Sequence, residues 1–429
     1  MAPRARQLIN RLRGGGIATE TAWGFALELL QLFTSVLSFL FLGRSLGAAG
    51  YGGYASLYAI VGPLVTLAAS GVVLAVMQHI VRDREDLAET ARSCLTLSIA
   101  LGVVLTLVGT GMALLIVETV TVVGIVSILV TEFVTAPAVQ VAASVVQAGT
   151  GFIPAARFRL VFLLGRLAVL VVLFATDTLS VATLGVSMLL VSTILAIGSI
   201  HRVGRRYGFT FVPGRPRWQH LKTNALYSTA ISAAALNSDG DKLVLAANGF
   251  VVDTGLYAAA YRIVSFGMLP VGSLVNVSHR RFLHHEEGVA RQHLDRSVKF
   301  GLVSGLYGLA FGILIFIAAP FLPLIMGDEF EGSVVMVRWL SPTILMRSLA
   351  IFPLNGLMGL GRTGLRTVIV VLNAAFAMGL YIVLVPIHGW EGAAIGTLIT
   401  ETVAAVSAWI AVVVCQRRAD LAHAATVPV

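Results

Sequence analysis

Charge is what this sequence has least of. Only 12% of its 429 residues are Asp, Glu, Lys or Arg, while 57% are hydrophobic and the mean hydropathy is +0.89. A water-soluble domain of this size does not tolerate such a balance, because too few polar side chains remain to cover its surface. Cysteine is equally scarce: Cys94 and Cys415 stand far apart in the chain, next to basic loops. That excludes a disulfide framework and makes a cysteine metal cluster improbable, so no metal site and no bound cofactor are expected. No G-x-x-x-x-G-K-[ST] segment occurs, and ATP hydrolysis by this chain is not expected. Long polar stretches are missing as well, which leaves no room for a soluble catalytic domain. The chain is therefore expected not to be an enzyme.

What is present is apolar sequence in helix-length runs, at about 17–42, 54–80, 93–117, 119–147, 157–176, 179–200, 223–247, 255–278, 300–325, 334–357, 365–386 and 392–415. A spanning helix takes about 20–25 residues, so these predict an all-α membrane protein with twelve transmembrane helices. The basic residues test the count, since cytoplasmic loops collect Lys and Arg. If the amino terminus is cytoplasmic, 24 of the 30 Lys and Arg residues fall in segments on its side. The opposite loops hold only Arg44 and instead gather acids such as Glu118, Asp177, Asp253, Asp328 and Glu391. One wrongly split or merged helix would invert every later loop and erase this bias. Both termini are thus expected to be cytoplasmic in a multi-pass plasma-membrane protein. The net charge of +9 reports topology, not a nucleic-acid surface. The basic amino-terminal stretch (Arg4, Arg6, Arg11, Arg13) leads into a run that carries Glu20 and Glu28 and lacks a small-residue cleavage site, so it is expected to be a retained helix and not a cleaved signal.

The longest loops, about 201–222 and 279–299, are both cytoplasmic in this scheme, and the second is expected to form an amphipathic surface helix with Phe282, Val289 and Leu294 toward lipid. The first divides the chain into an amino-terminal lobe (1–200, helices 1–6), a linker (201–222), a carboxy-terminal lobe (223–416, helices 7–12) and a tail (417–429). An internal echo supports two like halves. Gly52-Gly-Tyr-Ala-Ser-Leu-Tyr-Ala-Ile-Val61 and Gly255-Leu-Tyr-Ala-Ala-Ala-Tyr-Arg-Ile-Val264 share G-x-Y-A-x-x-Y-x-I-V at an offset of 203 residues, and each opens the second helix of its half. Parallel repeats of this kind describe an alternating-access transporter more naturally than a channel or an enzyme.

Charges inside hydrocarbon cost several kcal/mol and need a cavity or a partner. Arg166, Lys242, Arg262 and Arg347 lie within predicted spans and are candidates for holding an anionic head group, because phosphate in a low-dielectric site needs paired cationic donors. An Asp241–Arg262 ion pair, and pairing of Arg166 or Arg347 with Glu132, Glu28 or Glu401, are the structural alternatives. Polar stripes that include Gln31, Gln140, Asn237 and Asn276 are expected to face a hydrated cavity, with interhelical hydrogen bonding as the other reading. Buried carboxylates suit coupling to a proton or Na⁺ gradient. Glu28 is the first candidate, followed by Asp239, Asp241 and Glu401 with Asn373 and Thr397 nearby in depth, and Glu132. Prolines inside spans (Pro63, Pro137, Pro270, Pro342, Pro353) mark expected kinks.

The segment Ser45-Leu-Gly-Ala-Ala-Gly-Tyr-Gly-Gly-Tyr-Ala55 resembles the L-G-x-x-G-Y-G-x-Y-A turn of polysaccharide and O-antigen flippases, within the multidrug, oligosaccharidyl-lipid and polysaccharide (MOP) exporter superfamily. Asp241-Lys-Leu-Val-Leu-Ala246, Thr254 to Arg262, Gly359-Leu-Gly-Arg-Thr-Gly-Leu-Arg366 and His388-Gly-Trp-Glu-Gly-Ala-Ala-Ile-Gly-Thr397 are each similar to the equivalent family segment. The resemblance covers almost the whole chain. It implies two six-helix lobes and a polyprenyl-pyrophosphate-linked glycan turned from the cytoplasmic to the outer leaflet of a bacterial inner membrane. It also implies pyrophosphate held by Lys242, Arg262, Arg166 and Arg347, and a coupling cation on Glu28 or Asp239. Lipids and polysaccharide-assembly enzymes are the implied partners. The alternatives are a cation-coupled multidrug exporter of the same superfamily, a membrane glycosyltransferase or polymerase, which the absence of a sizeable outer loop disfavours, and a noncatalytic scaffold.

Overall fold

The computed structural model describes residues 17–117, 119–208, 214, 217–275 and 291–426, with side chains at 17–18, 21–22, 291–293 and 419–426 left aside. Every regular element among them is helical. In the first half these are α1 (Ile17–Ala68), α2 (Ser70–Met77), α3 (Leu87–Ile116), α4 (Val122–Val130), α5 (Ala136–Thr150), α6 (Phe152–Ala175) and α7 (Val181–Tyr207). The second half has α8 (Trp218–Ala247), α9 (Val251–Phe266), α10 (Arg291–Ala318), α11 (Leu322–Met326), α12 (Ser333–Leu340), α13 (Pro342–Gly359) and α14 (Thr363–Thr426). In hydrocarbon only such self-satisfied backbones are viable.

Among the described residues eight helical stretches are long and apolar enough to cross a membrane, or nine if the pair Val251–Phe266 and Leu269–Val275, bent by 42°, counts as one span. Two of the eight, Trp23–Arg82 and Thr363–Arg418, run 60 and 56 residues. At 1.5 Å per residue each is more than twice the thickness of a bilayer core of about 30 Å, so each holds two expected spans. The breaks are glycines with non-helical backbone, Gly47 (φ 64°) and Gly389 (φ 59°), a left-handed region that a side chain disfavours. The remaining expected span is α8, whose polar residues keep it out of the apolar set. Expected kinks coincide with observed breaks at Pro342, which opens α13, and Pro270, which lies just past the 42° bend.

Two local differences from the expected pattern have plain causes. The fourth span is not one regular helix: α4 passes into α5 through a π-helical turn, Thr131–Thr135, just before Pro137, and such turns mark places where the hydrogen-bond ladder is interrupted. Of the expected surface helix over 279–299, residues 279–290, with Phe282 and Val289, lie outside the described residues. From Arg291 onward the chain already runs in α10, which continues without interruption to Ala318.

The chain forms two compact units. The first comprises residues 1–46, 64–114 and 120–228, and the second 47–63, 115–119 and 229–429. In the first, the stretch Val122–Thr150 lies inside and is largely buried, whereas Phe152–Ala175 lies outside and is largely exposed. Outer apolar side chains such as Leu107 (71% exposed) and Ile194 (69%) form the surface a membrane would cover. Packing relies on small residues: a Cβ built on Gly102 would sit 2.1 Å from the Phe133 carbonyl oxygen, the close backbone approach typical of membrane helices.

The second unit takes in residues 47–63 because the two copies of the echo pack on each other. A Cβ on Gly52 would lie 2.0 Å from the Val251 carbonyl oxygen, and one on Gly255 would lie 2.3 Å from that of Ala48 and 2.8 Å from the Gly52 nitrogen. The glycine that opens each copy is thus the point where the two backbones meet. Glu329 then accepts the Ala48 amide at 2.9 Å, which satisfies a donor just beyond the Gly47 break.

Candidate functional site

The second unit holds a connected set of charged and polar groups on α8, α9, α13 and α14. The buried Lys242 ammonium lies 3.2 Å from both Asp239 Oδ1 and Asp241 Oδ1, donates to the Ser238 carbonyl, and stands 3.5 Å from the centre of the Tyr261 ring. Asp239, Asp241 and Lys242 come within reach of one another because they are neighbours on one helix; Tyr261 comes from the next. Asp241 is fully buried, and its other oxygen accepts from Thr397 at 3.3 Å. Thr397 is in turn 3.2 Å from the hydroxyls of both Tyr257 and Tyr381. An ionised carboxylate is tolerable here only because cation, hydroxyl and backbone donor all reach it; the Lys242 amide is that donor, at 2.8 Å.

Across the same Tyr261 lies a second ion pair. Arg347 donates to Glu401 Oε1 at 2.7 Å and to the Tyr261 hydroxyl, and its guanidinium lies 5.1 Å from that ring's centre. Asn237 also donates to Glu401 Oε1, at 3.3 Å, and accepts from Asn373 at 3.2 Å. The Asn373 carbonyl oxygen is buried with no hydrogen-bond partner. Seven residues singled out from the sequence, Asn237, Asp239, Asp241, Lys242, Arg347, Asn373 and Glu401, thus form one network. If all are ionised, its three carboxylates face two cations, one negative charge in excess.

The first unit holds a separate pair, Arg166 with Glu132, whose oxygens accept from both guanidinium nitrogens; Phe162 lies 5.7 Å from that guanidinium. Pairing of Arg166 with Glu132 and of Arg347 with Glu401 follows the structural alternative. The alternative Asp241–Arg262 pair is not formed: Lys242 and Thr397 occupy Asp241, and Arg262 is exposed without an ion pair among the described residues. Glu28, Gln31 and Gln140 are also exposed and join neither cluster. Asn276 lies outside the described residues.

Sequence reasoning missed Tyr261, the ring shared by Lys242 and Arg347, and Tyr257 and Tyr381 around Thr397. A signal for the first two was present. They are the tyrosines of the second echo copy, four apart and therefore on one helix face, directly after the glycine that allows close approach.

A third cluster lies outside the predicted spans. Glu85, in the turn between α2 and α3, accepts from His220 Nε2 at 3.1 Å, from Gln219 at 3.0 Å and from Thr90 at 3.2 Å, and pairs with Arg217 at 3.4 Å. Burial works to raise its pKa, but the His220 hydrogen bond and the two nearby imidazoles prevail and hold it below the usual carboxylate range. Burial pushes the His220 imidazole below its ordinary value, against the pull of the Glu85 hydrogen bond.

No protein-family model matches the chain, and no curated protein sequence does. Solved structures do match its fold. An inward-facing multidrug resistance MATE family transporter of the MOP superfamily superposes with a TM-score of 0.71 at 14% identity, covering 90% of this chain and 94% of the other. An outward-facing one gives 0.61 at 15% identity, over 91% and 93%. A MOP superfamily transporter from Pyrococcus furiosus Vc1 (DSM3638), described as having a binding pocket of reverse polarity that suggests a different function, gives 0.62 at 14%, also over 91% and 93%. The likeness is one of fold, and it spans nine-tenths of the chain. The protein is an all-helical, multi-pass membrane protein with the fold of the MOP superfamily transporters.

Proposed function

We propose that the chain is a lipid-linked oligosaccharide flippase, which turns a polyprenyl-pyrophosphate-linked glycan from the cytoplasmic to the outer leaflet of a bacterial inner membrane by alternating access. Both termini are cytoplasmic in this reading, and polysaccharide-assembly enzymes supply and consume the substrate. The observation that carries it is Arg262. Of the four candidate cations, Lys242, Arg166 and Arg347 are neutralised by carboxylates of the chain itself, whereas Arg262 is exposed on α9, next to Tyr261, with no ion pair among the described residues. A guanidinium kept charged in a membrane helix is matched to a bidentate anion such as a phosphate. The excess carboxylate of the Asp239, Asp241 and Glu401 network supports coupling, since it provides a place to load a proton or Na⁺.

The test is mass spectrometry of polyprenyl-linked glycans in cells depleted of the protein, with labelling that distinguishes the leaflets. Accumulation of an inward-facing intermediate, reproduced by Arg262→Glu at normal expression, supports the proposal. One observation favours a second reading, a cation-coupled multidrug exporter of the same superfamily: three carboxylates against two cations attract a cationic compound. An unchanged glycan pool with new sensitivity to cationic compounds decides for that reading.

A further inference from the structure

We propose that His79, Glu85 and His220 form a binding site for a zinc-class divalent metal ion, at the end of the first unit that the arginine bias makes cytoplasmic. Two of the residues are near neighbours and the third comes from far along the chain: His79 from the π-helical turn after α2, Glu85 from the turn that follows, and His220 from the start of α8. One ligand atom from each lies within 4.8 Å of the others. The two rings lie against each other, centres 4.4 Å apart, and Glu85 reaches both, with Oε1 3.1 Å from His79 Nδ1 and Oε2 3.1 Å from His220 Nε2. A tetrahedral ion with bonds of about 2.0–2.2 Å sets its ligand atoms about 3.4 Å apart, so each histidine nitrogen already stands near coordination spacing from a Glu85 oxygen.

His79 supplies the independent observation. It is 4% exposed, and both of its ring nitrogens are buried without a hydrogen-bond partner, even though Nδ1 is 3.1 Å from carboxylate oxygens of Asp83 and Glu85. The atoms are close but misaligned for hydrogen bonding. A buried imidazole left unsatisfied is costly, and a metal ion satisfies one of its two nitrogens through the lone pair.

The surroundings fit the same role. A metal-bound histidine presents its other nitrogen to an outer partner that fixes the tautomer. His220 Nδ1 is 2.9 Å from Ser93 Oγ, which also accepts the Arg217 amide at 3.3 Å. Arg217 opposes a cation here, but Glu89 also engages its guanidinium and offsets that charge. Two imidazole nitrogens and one carboxylate oxygen select zinc-like ions over Mg²⁺ or Ca²⁺, which prefer oxygen donors. The fourth position is left to water. A bound ion ties the last residues of the 201–222 linker to the turn between α2 and α3, both inside the first unit. The inference does not depend on what the protein transports.

The experiment is metal titration of the full-length, tag-free protein in detergent, with Zn²⁺ and Co²⁺ as probes. We expect one equivalent of Zn²⁺, displacement of Co²⁺ by it, and the intense visible absorption of four-coordinate Co²⁺. His79→Gln, which removes no hydrogen bond made by the ring, should abolish this site while the thermal unfolding of the metal-free protein stays unchanged. Ser93→Ala should weaken Zn²⁺ binding about 10–100-fold. Uptake that is equal in wild type and His79→Gln, or the weak absorption of six-coordinate Co²⁺, overturns the proposal. Because His220→Ala also breaks hydrogen bonds to Glu85 and Ser93, the His79 variant decides.

Discussion

The two copies of the echo, Gly52–Val61 and Gly255–Val264, share a pattern but not a chemistry. In the first, the rings of Tyr54 and Tyr58 lie against each other, with centres 4.5 Å apart. In the second, the equivalent Tyr257 is fully buried against Thr397, and Tyr261 lies between Lys242 and Arg347. Where the first copy has Ala59 the second has Arg262. The repeat therefore dictates how the two backbones cross, through Gly52 and Gly255. The neighbours on α8, α13 and α14 decide which copy carries charge.

The strongest way to break this comparison is to strip the second copy of its counter-charge. Glu401→Ala leaves the half-buried Arg347 beside Tyr261 without its carboxylate and should cost about 3 kcal/mol, read as a lowered thermal unfolding midpoint in detergent. The double variant Arg347→Met, Glu401→Leu should lose much less, since no charge is stranded. Next in size, Gly52→Ala and Gly255→Ala each push a methyl group into a partner's backbone, and each should destabilise by about 1–3 kcal/mol. Similar losses at the two positions would sharpen the symmetry of the crossing, and a loss at only one would refute it.

Tyr261→Phe keeps the ring that both cations approach and removes the hydroxyl that accepts from Arg347. A hydrogen bond to a charged group is worth about 1.5–3 kcal/mol. A double-mutant cycle with Arg347→Lys should find coupling of that sign, and additivity would show that the hydroxyl is idle. The smallest effect on stability belongs to Arg262→Ala, an exposed site where the change should stay within about 0.5 kcal/mol. Loss of glycan turnover in that variant with an unchanged unfolding midpoint would separate the charge of the second copy from its packing.

Much of the fold was legible because hydrocarbon imposes simple rules. Apolar runs of helix length and the alternation of arginine set out the spans, and both over-long helices break at glycines, Gly47 and Gly389, between predicted spans. The site was legible only as a set of residues. Asp239, Asp241 and Lys242 are sequence neighbours, so their pairing followed from helical spacing. The Arg347–Glu401 pair links residues on α13 and α14, and the Asn237–Glu401 bond links α8 to α14. No local pattern distinguishes those partners from Glu28 or Glu132. Similar depth in the membrane left Arg262 either as a partner of Asp241 or as a head-group ligand, and Asp241 instead meets Lys242, its neighbour on the same helix, and Thr397. His79 and His220 carried no signal, because a lone histidine at a helix end is uninformative until the chain brings a second beside it.

By itself the sequence determined the solvent of this protein, its helical class and the division into spans, since these depend on composition and on run length. Only the tertiary structure decided which buried carboxylate meets which cation, that residues 47–63 belong with the second unit, and that His220 joins His79 and Glu85. Those are outcomes of packing between segments far apart in the chain, where distance and burial, and not residue type, select the partner.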